Sequence, residues 1–260
     1  MLFALIAMDL VWALGLIAVA TPAAWSALRV FTAMTSPDPM HTALALVLAF
    51  ATFVAVFTAD VCAVLLLLPK PRAGKYALLK GRDFYVWSLG FIARRWLDIP
   101  PVSILVRQSS LARLAFLTAA GARVHPVSNM SSDVAILDPY MLEIGRDTVI
   151  GSGVVVTGHM VFDGALVLAP VVIARGAEVG ADTRIAQGVS VGERAQVQAG
   201  VFLCPFVHVG DDAVISIRAV LGARVRVGDR ARVAANAYVP AGTVIPDGGV
   251  YPATDTPIDG

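Results

Sequence analysis

Histidine is the side chain in this sequence best suited to exchange protons at neutral pH, and the 260 residues contain four histidines. His159 stands in the stretch GHMVFDG, with Asp163 after it and Asp138 before it. An imidazole whose tautomer is set by a hydrogen bond can remove a proton from a hydroxyl or an amine. We therefore consider His159 a candidate general base, oriented by Asp163 or Asp138. The alternative is a loop histidine with no chemical role.

The other histidines and the two cysteines give weaker indications. His208, in CPFVHVGDD, is expected to point outward from a strand and is a second candidate base, whereas His125 and His41 are expected to be structural or solvated. Cys62 and Cys204 lie in segments of different character, with no CxxC or Cys/His ligand spacing. We expect neither a disulfide framework nor a metal site.

The first third of the chain is apolar enough to lie in lipid. Hydrophobic residues make up 57% of the sequence, and the mean hydropathy is +0.75. Residues 2–20 and 42–68 form two apolar stretches, each of which comes close to or exceeds the ~20 residues that cross a bilayer. Asp9 and the lack of a basic leader argue against a cleaved signal peptide. The sequence predicts a transmembrane helical hairpin within residues 1–70.

Loop charges predict the orientation of that hairpin. The connecting segment AMTSPDPMH contains no Lys or Arg, whereas PKPRAGKYALLKGRD after the second stretch contains five. The positive-inside rule then places both ends of the hairpin and everything downstream in the cytoplasm. This predicts a multi-pass protein of the inner (cytoplasmic) membrane, with membrane lipid as a partner.

Aromatic and basic side chains dominate the next segment, residues 71–123. FYVWSLGFIARRWLDIPP mixes aromatic rings with arginines, a composition that favours the headgroup layer, so we expect basic and aromatic interfacial helices. An ordinary amphipathic core helix is the alternative. Ser109 or Ser110 is positioned to cap a short helix that Gly121 ends.

Asp9 and Asp60 interrupt the two apolar stretches at matching depths of an antiparallel hairpin. Carboxylates inside a membrane are costly and usually face a bundle interior. We expect this polar pair to line a polar site or an oligomer axis. A purely structural role for both acids is the alternative.

A six-residue repeat fills the second half of the chain. Every sixth residue from Ile173 to Ile245 is aliphatic, and the following residue is often glycine. This period fits neither a helix nor an open sheet and predicts a triangular coil with about 18 residues per turn. The sequence thus predicts a parallel β-helix of five or six turns over residues 124–247, with a C-terminal tail at 248–260.

The repeat changes phase around His159. Ile144, Ile150 and Val156 follow the same rule one residue out of step with the series that begins at Ile173. The coil between Val156 and Ile173 must therefore hold an irregular excursion. Binding residues tend to lie at such irregularities in solenoids.

The repeat resembles that of hexapeptide-repeat acyltransferases. A closer resemblance runs from Lys80 to Pro246, where KGRDFYVWSLGFIARRWL, LTAAGARVHP, DPYMLEIG and GHMVFDG are similar to the membrane-linked terminal domain of non-ribosomal peptide synthetases of the poly-lysine synthetase type. Gly158, His159 and Asp163 match its Gly-His motif. This sequence has fewer acidic residues after the motif, and it contains no adenylation or carrier domain. The resemblance therefore does not identify the acyl donor.

The resemblance implies a left-handed parallel β-helix, preceded by the transmembrane hairpin and the interfacial helices, that assembles as a homotrimer. It further implies an acyltransferase in which His159 is the general base in a cleft between neighbouring copies, oriented by Asp163 or Asp138. The co-substrate would be acetyl-CoA or another acyl thioester, which a separate acyl or peptidyl carrier protein could hold, with no metal. A non-catalytic trimeric membrane scaffold or channel-like component of such a synthetase is the alternative. A net charge of +1 gives no electrostatic reason to expect a nucleic-acid partner.

Overall fold

The chain folds into two compact units in the computed structural model, which describes residues 2–252. The helical unit comprises Met1–Lys70 and Tyr85–Ala120, and the coil unit comprises Pro71–Phe84 and Gly121–Gly260. Of the predicted C-terminal tail, residues 253–260 lie outside the described residues.

Two long helices dominate the helical unit and are followed by shorter ones. The helices are α1 (Leu2–Met34), α2 (Pro39–Leu67), α3 (Arg82–Arg94), a 3-10 helix (Arg95–Asp98), α4 (Val102–Gln108) and α5 (Ser110–Ala119). Helix α1 continues through Pro22 well past the predicted end of the first apolar stretch. As expected, Ser109 caps α5 by accepting a hydrogen bond from the backbone N–H of Ala112, and Gly121 follows with a φ of 98°.

Both long helices meet the length and composition required to cross a membrane. The qualifying segments are Ile6–Met34 and Pro39–Leu67, each of 29 residues. In the most apolar 18-residue stretch of each helix, only 11% and 17% of the stretch is buried within the protein. Most of this apolar surface therefore faces outward. A soluble protein would bury such helices in its core, and these two could instead face lipid.

The aromatic segment predicted from the sequence is packed into the helical unit through Trp96. The Trp96 indole N–H donates to the carbonyl oxygen of Trp12 over 3.0 Å. Its ring lies directly against Gly15, where a Cβ atom would be 2.6 Å from Trp96 Cη2. The 3-10 helix is thereby held against the first half of α1, because α1 presents no side chain at that point.

The coil unit is built from three parallel sheets that form the faces of a triangular coil. The first sheet holds β2 (Arg123–Val124), β5 (Leu142–Ile144), β10 (Val171–Ile173), β13 (Ser190–Val191), β16 (His208–Val209), β19 (Arg226–Val227) and β22 (Val244–Ile245). The second holds β3 (Asn129–Met130), β6 (Val149–Ile150), β11 (Glu178–Val179), β14 (Gln196–Val197), β17 (Val214–Ile215), β20 (Arg232–Val233) and β23 (Val250–Tyr251). The third holds β4 (Ala135–Ile136), β7 (Val155–Val156), β12 (Arg184–Ile185), β15 (Phe202–Leu203), β18 (Val220–Leu221) and β21 (Tyr238–Val239).

Stacked aliphatic side chains form the core of this coil. Ile173 pairs in register with Ile144 of the previous turn and with Val191 of the next. All three are at least 98% buried, as are most residues of the six-residue series. The predicted fold class is confirmed, since a parallel β-helix of six-residue repeats follows two long apolar helices.

The coil has about seven turns, more than the five or six expected. Strands β2 to β4 form an additional first turn whose inward residues Val124, Met130 and Ile136 keep the six-residue spacing. At the other end, β23 pairs with β20 and carries the coil into the segment expected to be a tail. The predicted range 124–247 includes the first turn, so sequence reasoning underestimated the number of turns and ended the coil before β23.

The excursion predicted around His159 is a β-hairpin. Strands β8 (His159–Phe162) and β9 (Ala165–Leu168) pair antiparallel, and their two-residue turn places Asp163 and Gly164 at φ values of 48° and 66°. An Asp-Gly pair favours this type of turn because both residues tolerate positive φ. Ile144 and Ile173 pair across 29 residues instead of the 18 that separate Ile173 from Val191, so the hairpin is an 11-residue insertion in one turn.

A third strand completes the hairpin sheet and differs from the sequence expectation. Strand β1 (Gly74–Ala77) pairs antiparallel with β9, with Gly74 opposite Leu168. These residues were expected to be part of an interfacial helical segment. As strand β1, these residues form backbone hydrogen bonds with the edge of β9. This is a tertiary contact, which local composition does not reveal.

We predict that Gly15→Ala destabilises the helical unit. The new Cβ would overlap the buried Trp96 ring, and overpacking of this kind costs roughly 1–3 kcal/mol. A Cβ added at Gly90 in α3 would meet no neighbouring group of the described residues within 4 Å, so Gly90→Ala is the matched control and should be neutral or stabilising. Thermal unfolding of the full chain in detergent micelles measures both. Equal melting midpoints for the two variants would contradict the packing described.

Candidate active site

One edge of the coil, where the third sheet turns into the first, carries the hairpin. We call this the site edge and define it by the corner residues of successive turns: 137–141, 157–170, 186–189, 204–207, 222–225 and 240–243. Because the turns stack in register, residues at these corners form one column. Asp138 and His159 therefore lie on neighbouring turns of the same edge.

Asp138 and His159 form a close pair at the base of the hairpin. His159 Nδ1 lies 2.6 Å from Asp138 Oδ2. The Asp138 side chain is fully buried, whereas 20% of the His159 side chain is exposed. A buried carboxylate thus holds an imidazole that still reaches the surface.

Two further donors fix the Asp138 carboxylate. The backbone N–H of Gly158 donates to Oδ2 over 2.9 Å, and the Tyr140 hydroxyl donates to Oδ1 over 2.8 Å. Gly158 can approach this closely because it has no Cβ, which would lie 2.6 Å from Met141 Cβ. Hydrogen bonds to the charged form favour an ionised carboxylate and offset the cost of burying it.

This arrangement determines what the imidazole can do. A carboxylate only accepts, so we assign the Nδ1 proton to the bond with Asp138, which leaves the lone pair on Nε2. Nε2 is then the atom that can take a proton from an acceptor. The nearby Asp138 charge would stabilise the imidazolium formed by that transfer. The pair is thus competent for general base catalysis.

The other candidate orienting residue, Asp163, lies elsewhere in the hairpin. It is exposed in the two-residue turn, at the opposite end of β8 from His159. Four residues of strand span about 13 Å. The structure therefore brings His159 together with Asp138 and not with Asp163. The backbone N–H of Gly158 is committed to Asp138 and so does not offer itself to a developing oxyanion.

His208 lies on the first sheet and is exposed, as expected. Its Nδ1 is 2.5 Å from the Ser190 hydroxyl on the preceding turn, and no carboxylate of the described residues holds it in an equivalent way. Burial raises the pKa of the Cys204 thiol, which disfavours the reactive thiolate. Within residues 2–252, no three His, Cys, Asp or Glu side chains converge as metal ligands would.

The two intramembrane candidates, Asp9 and Asp60, have different environments in the helical unit. Asp9 is exposed on α1. Asp60 is half-buried on α2, and its Oδ2 is buried with no hydrogen-bond partner in the described part of the chain. That they line a shared polar site or an oligomer axis stays a prediction.

Tyr140 was not among the residues that the sequence pointed to. It stands in DPYMLEIG, which contributed only to the resemblance, and it follows Pro139 in a short 3-10 helix, Pro139–Met141. That turn places the Tyr140 hydroxyl on the carboxylate two residues earlier. A tyrosine two residues after a buried aspartate is the only local signal, and it is a weak one.

We predict that Asp138→Asn disturbs the tautomer of His159. Asparagine is neutral and offers one acceptor oxygen, which the Gly158 N–H and the Nδ1–H would have to share, while its NH₂ cannot accept. Loss of the charge therefore weakens the hold on the Nδ1–H form, and the Nε2–H form gains population. Nitrogen-15 NMR of the imidazole in the full chain distinguishes the two forms. Asp163→Asn is the matched control and should leave the spectrum unchanged. If Asp163→Asn shifts the tautomer and Asp138→Asn does not, the roles assigned to the two acids are reversed.

Comparison with known proteins supports the repeat architecture. The protein family described as "Hexapeptide repeat of succinyl-transferase" matches residues 170–205 and 207–241, which include β10 to β21. No curated protein matches the sequence. These turns are thus built from hexapeptide repeats of the kind found in that family.

Several solved structures are similar to part of the chain. The acetyltransferase domain of PglB from Neisseria gonorrhoeae, in complex with acetyl coenzyme A, is 18% identical with a TM-score of 0.42, over 54% of this chain and 63% of that domain. A hexapeptide transferase family protein from Anaplasma phagocytophilum is 15% identical with a TM-score of 0.36, over 50% and 72%. PerB from Caulobacter crescentus, in complex with CoA and GDP-perosamine, is 19% identical with a TM-score of 0.32, over 57% and 60%. The chain thus spans less than two thirds of the PglB domain and of PerB, and the likeness concerns the fold.

Proposed function

We propose that this protein is a membrane-anchored acyltransferase that moves an acyl group from a CoA or carrier thioester to a hydroxyl or amine at the cytoplasmic membrane surface. The observation that carries the proposal is the contact between buried Asp138 and part-exposed His159 on the edge of a hexapeptide coil. Such a pair suits proton removal from an attacking nucleophile.

The reaction uses His159 twice. Nε2 removes the proton of the acceptor hydroxyl or amine as that group attacks the thioester carbonyl carbon. The tetrahedral intermediate collapses by breaking the carbon–sulfur bond, and the imidazolium returns its proton to the departing thiolate. Asp138 acts as a positioning residue, because it holds the ring and balances its charge in the intermediate state. The products are an ester or amide and a free thiol.

Two features favour an acceptor at a membrane. Both long apolar helices could span a bilayer by length and composition. Only five residues lie between Leu68, which follows α2, and Gly74, the first residue of β1. Strand β1 is hydrogen-bonded to the hairpin that carries His159. The membrane anchor and the catalytic hairpin are therefore joined by a short tether.

We predict that His159→Gln lowers acyl transfer by about 10²–10⁴-fold, the usual contribution of a general base. The full chain in lipid nanodiscs would be supplied with acetyl-CoA, and thiol release and mass changes of nanodisc lipids and added amines would be followed. The similar Neisseria domain is described with acetyl coenzyme A, which makes that thioester the first to test.

His208→Gln is the matched control and should retain wild-type turnover. Equal turnover in His159→Gln and the wild type, or no reaction of the wild type with acetyl-CoA or an acyl carrier thioester, would contradict the proposal. The second result would favour a non-catalytic membrane scaffold.

We further propose that the site is completed by a second copy of the chain in a homotrimer. The His159 side chain is only 20% exposed in one copy, and a groove between copies would exclude water from the thioester. Native mass spectrometry of the full chain released from detergent should give three times the monomer mass. A monomer that remains fully active would contradict the shared groove.

A further inference from the structure

Phe206 has an unusual backbone conformation for its residue type. Its φ is 63°, in the left-handed region, and it is the only aromatic residue with a positive φ in the part of the chain that the structure describes. Glycine, asparagine and aspartate occupy this region readily, whereas a bulky side chain there is an outlier. The repeat itself imposes this corner conformation, because positive φ recurs at every sixth residue from Asp182 to Gly248.

Phe206 lies on the site edge, on a later turn than the hairpin that carries His159. Its backbone N–H donates to the carbonyl oxygen of Gln187 on the preceding turn over 3.0 Å. Gln187 in turn lies at the corner directly after the turn with the hairpin, because Ile185 pairs with Val156 and Ser190 pairs with Val172. Phe206 is thus two turns from the base of the hairpin by backbone position.

The Phe206 ring bridges most of that separation. It leans back over Gly188, where a Cβ would lie 2.7 Å from Phe206 Cε1. The ring therefore occupies the corner space of the turn adjacent to the hairpin base. Since successive turns of a parallel sheet are about 4.8 Å apart, the ring lies about one turn from the base of the hairpin by backbone position.

The ring is also available to a ligand. Phe206 is 38% exposed, and the Arg224 guanidinium lies 5.9 Å from the ring centroid on the side of the next turn. Packing on Gly188 and the cation on the other side fix the position of an apolar surface on the site edge. Neither contact buries the ring.

We propose that Phe206 is a specificity-determining residue that contacts the acyl group of the thioester donor beside His159. This inference rests on the proposed acyltransferase function. The acyl carbonyl must lie near His159 for the reaction, so the acyl chain extends from that point along the site edge. An aromatic wall there limits the length of the chain and removes its first carbons from water.

The test compares Phe206→Asn with Arg218→Asn in the full chain. Arg218 is the matched control because it has a φ of 57° and packs its Cγ 3.3 Å from the Cβ position of Gly200 on the preceding turn. It lies on a different edge of the coil, between the second and third sheets. Both substitutions place a residue that tolerates the left-handed region at the same kind of corner.

The readout is kcat/KM with acetyl-CoA, butyryl-CoA and octanoyl-CoA, together with the midpoint of thermal unfolding. We expect Phe206→Asn to raise the octanoyl-to-acetyl ratio of kcat/KM by about tenfold, because one or two methylenes in a pocket change specificity by at least that factor. Its melting midpoint should not fall below that of the wild type, since backbone strain is relieved. Arg218→Asn should leave the ratio unchanged.

Each other outcome is decisive. An unchanged ratio in Phe206→Asn, with activity that still depends on His159, overturns the role of Phe206 and leaves the acyltransferase function standing. Loss of His159 dependence overturns both. If Phe206→Asn does not fold, Phe206→Gly is the second variant, because glycine has no strain at this φ. If that variant also fails to fold, the ring is a structural element and the proposal is overturned.

Discussion

The stacking of aliphatic side chains at every sixth position is the constraint on which the coil unit depends. It forces successive turns into one register, so that corner residues 18 apart lie above one another. The register explains why Asp138 and His159 meet although 21 residues separate them. It also explains why an insertion of 11 residues leaves the coil intact: Val156 and Ile173 each keep their places in the stack, and the extra residues leave the edge as a hairpin. The site is therefore a local departure from a rigid repeat, supported by the repeat on both sides.

The chemistry of the site follows from a difference in burial across a single hydrogen bond. Asp138 is inside the coil with three donors, one each from Tyr140, Gly158 and His159, and the imidazole lies at the surface. A carboxylate in water would orient the ring weakly and would exchange partners. Buried and fully bonded, it gives the ring one orientation and one tautomer. Strand β1, from the segment after α2, adds to the same hairpin.

Much of this arrangement was predictable, and the reasons for the exceptions are physical. The six-residue period identified the coil, and the phase shift between Val156 and Ile173 located the irregular turn with His159 on it. The choice between Asp138 and Asp163 could not be made from the sequence, because sequence separation does not show which residues stack. Asp163 is nearer in the chain but is used for the Asp-Gly turn. Strand β1 was missed because its pairing partner is about 90 residues away, and Phe206 because an aromatic residue in a repeat does not reveal its backbone conformation.

A structure of the full chain with acetyl-CoA bound, determined by electron cryomicroscopy in nanodiscs, tests the central claim most directly. We expect the thioester on the site edge, with its acyl group between His159 and the Phe206 ring. Its carbonyl carbon should lie within about 4 Å of a nucleophile that is hydrogen-bonded to His159 Nε2. Acetyl-CoA bound on another face of the coil, with His159 far from the thioester, would contradict it.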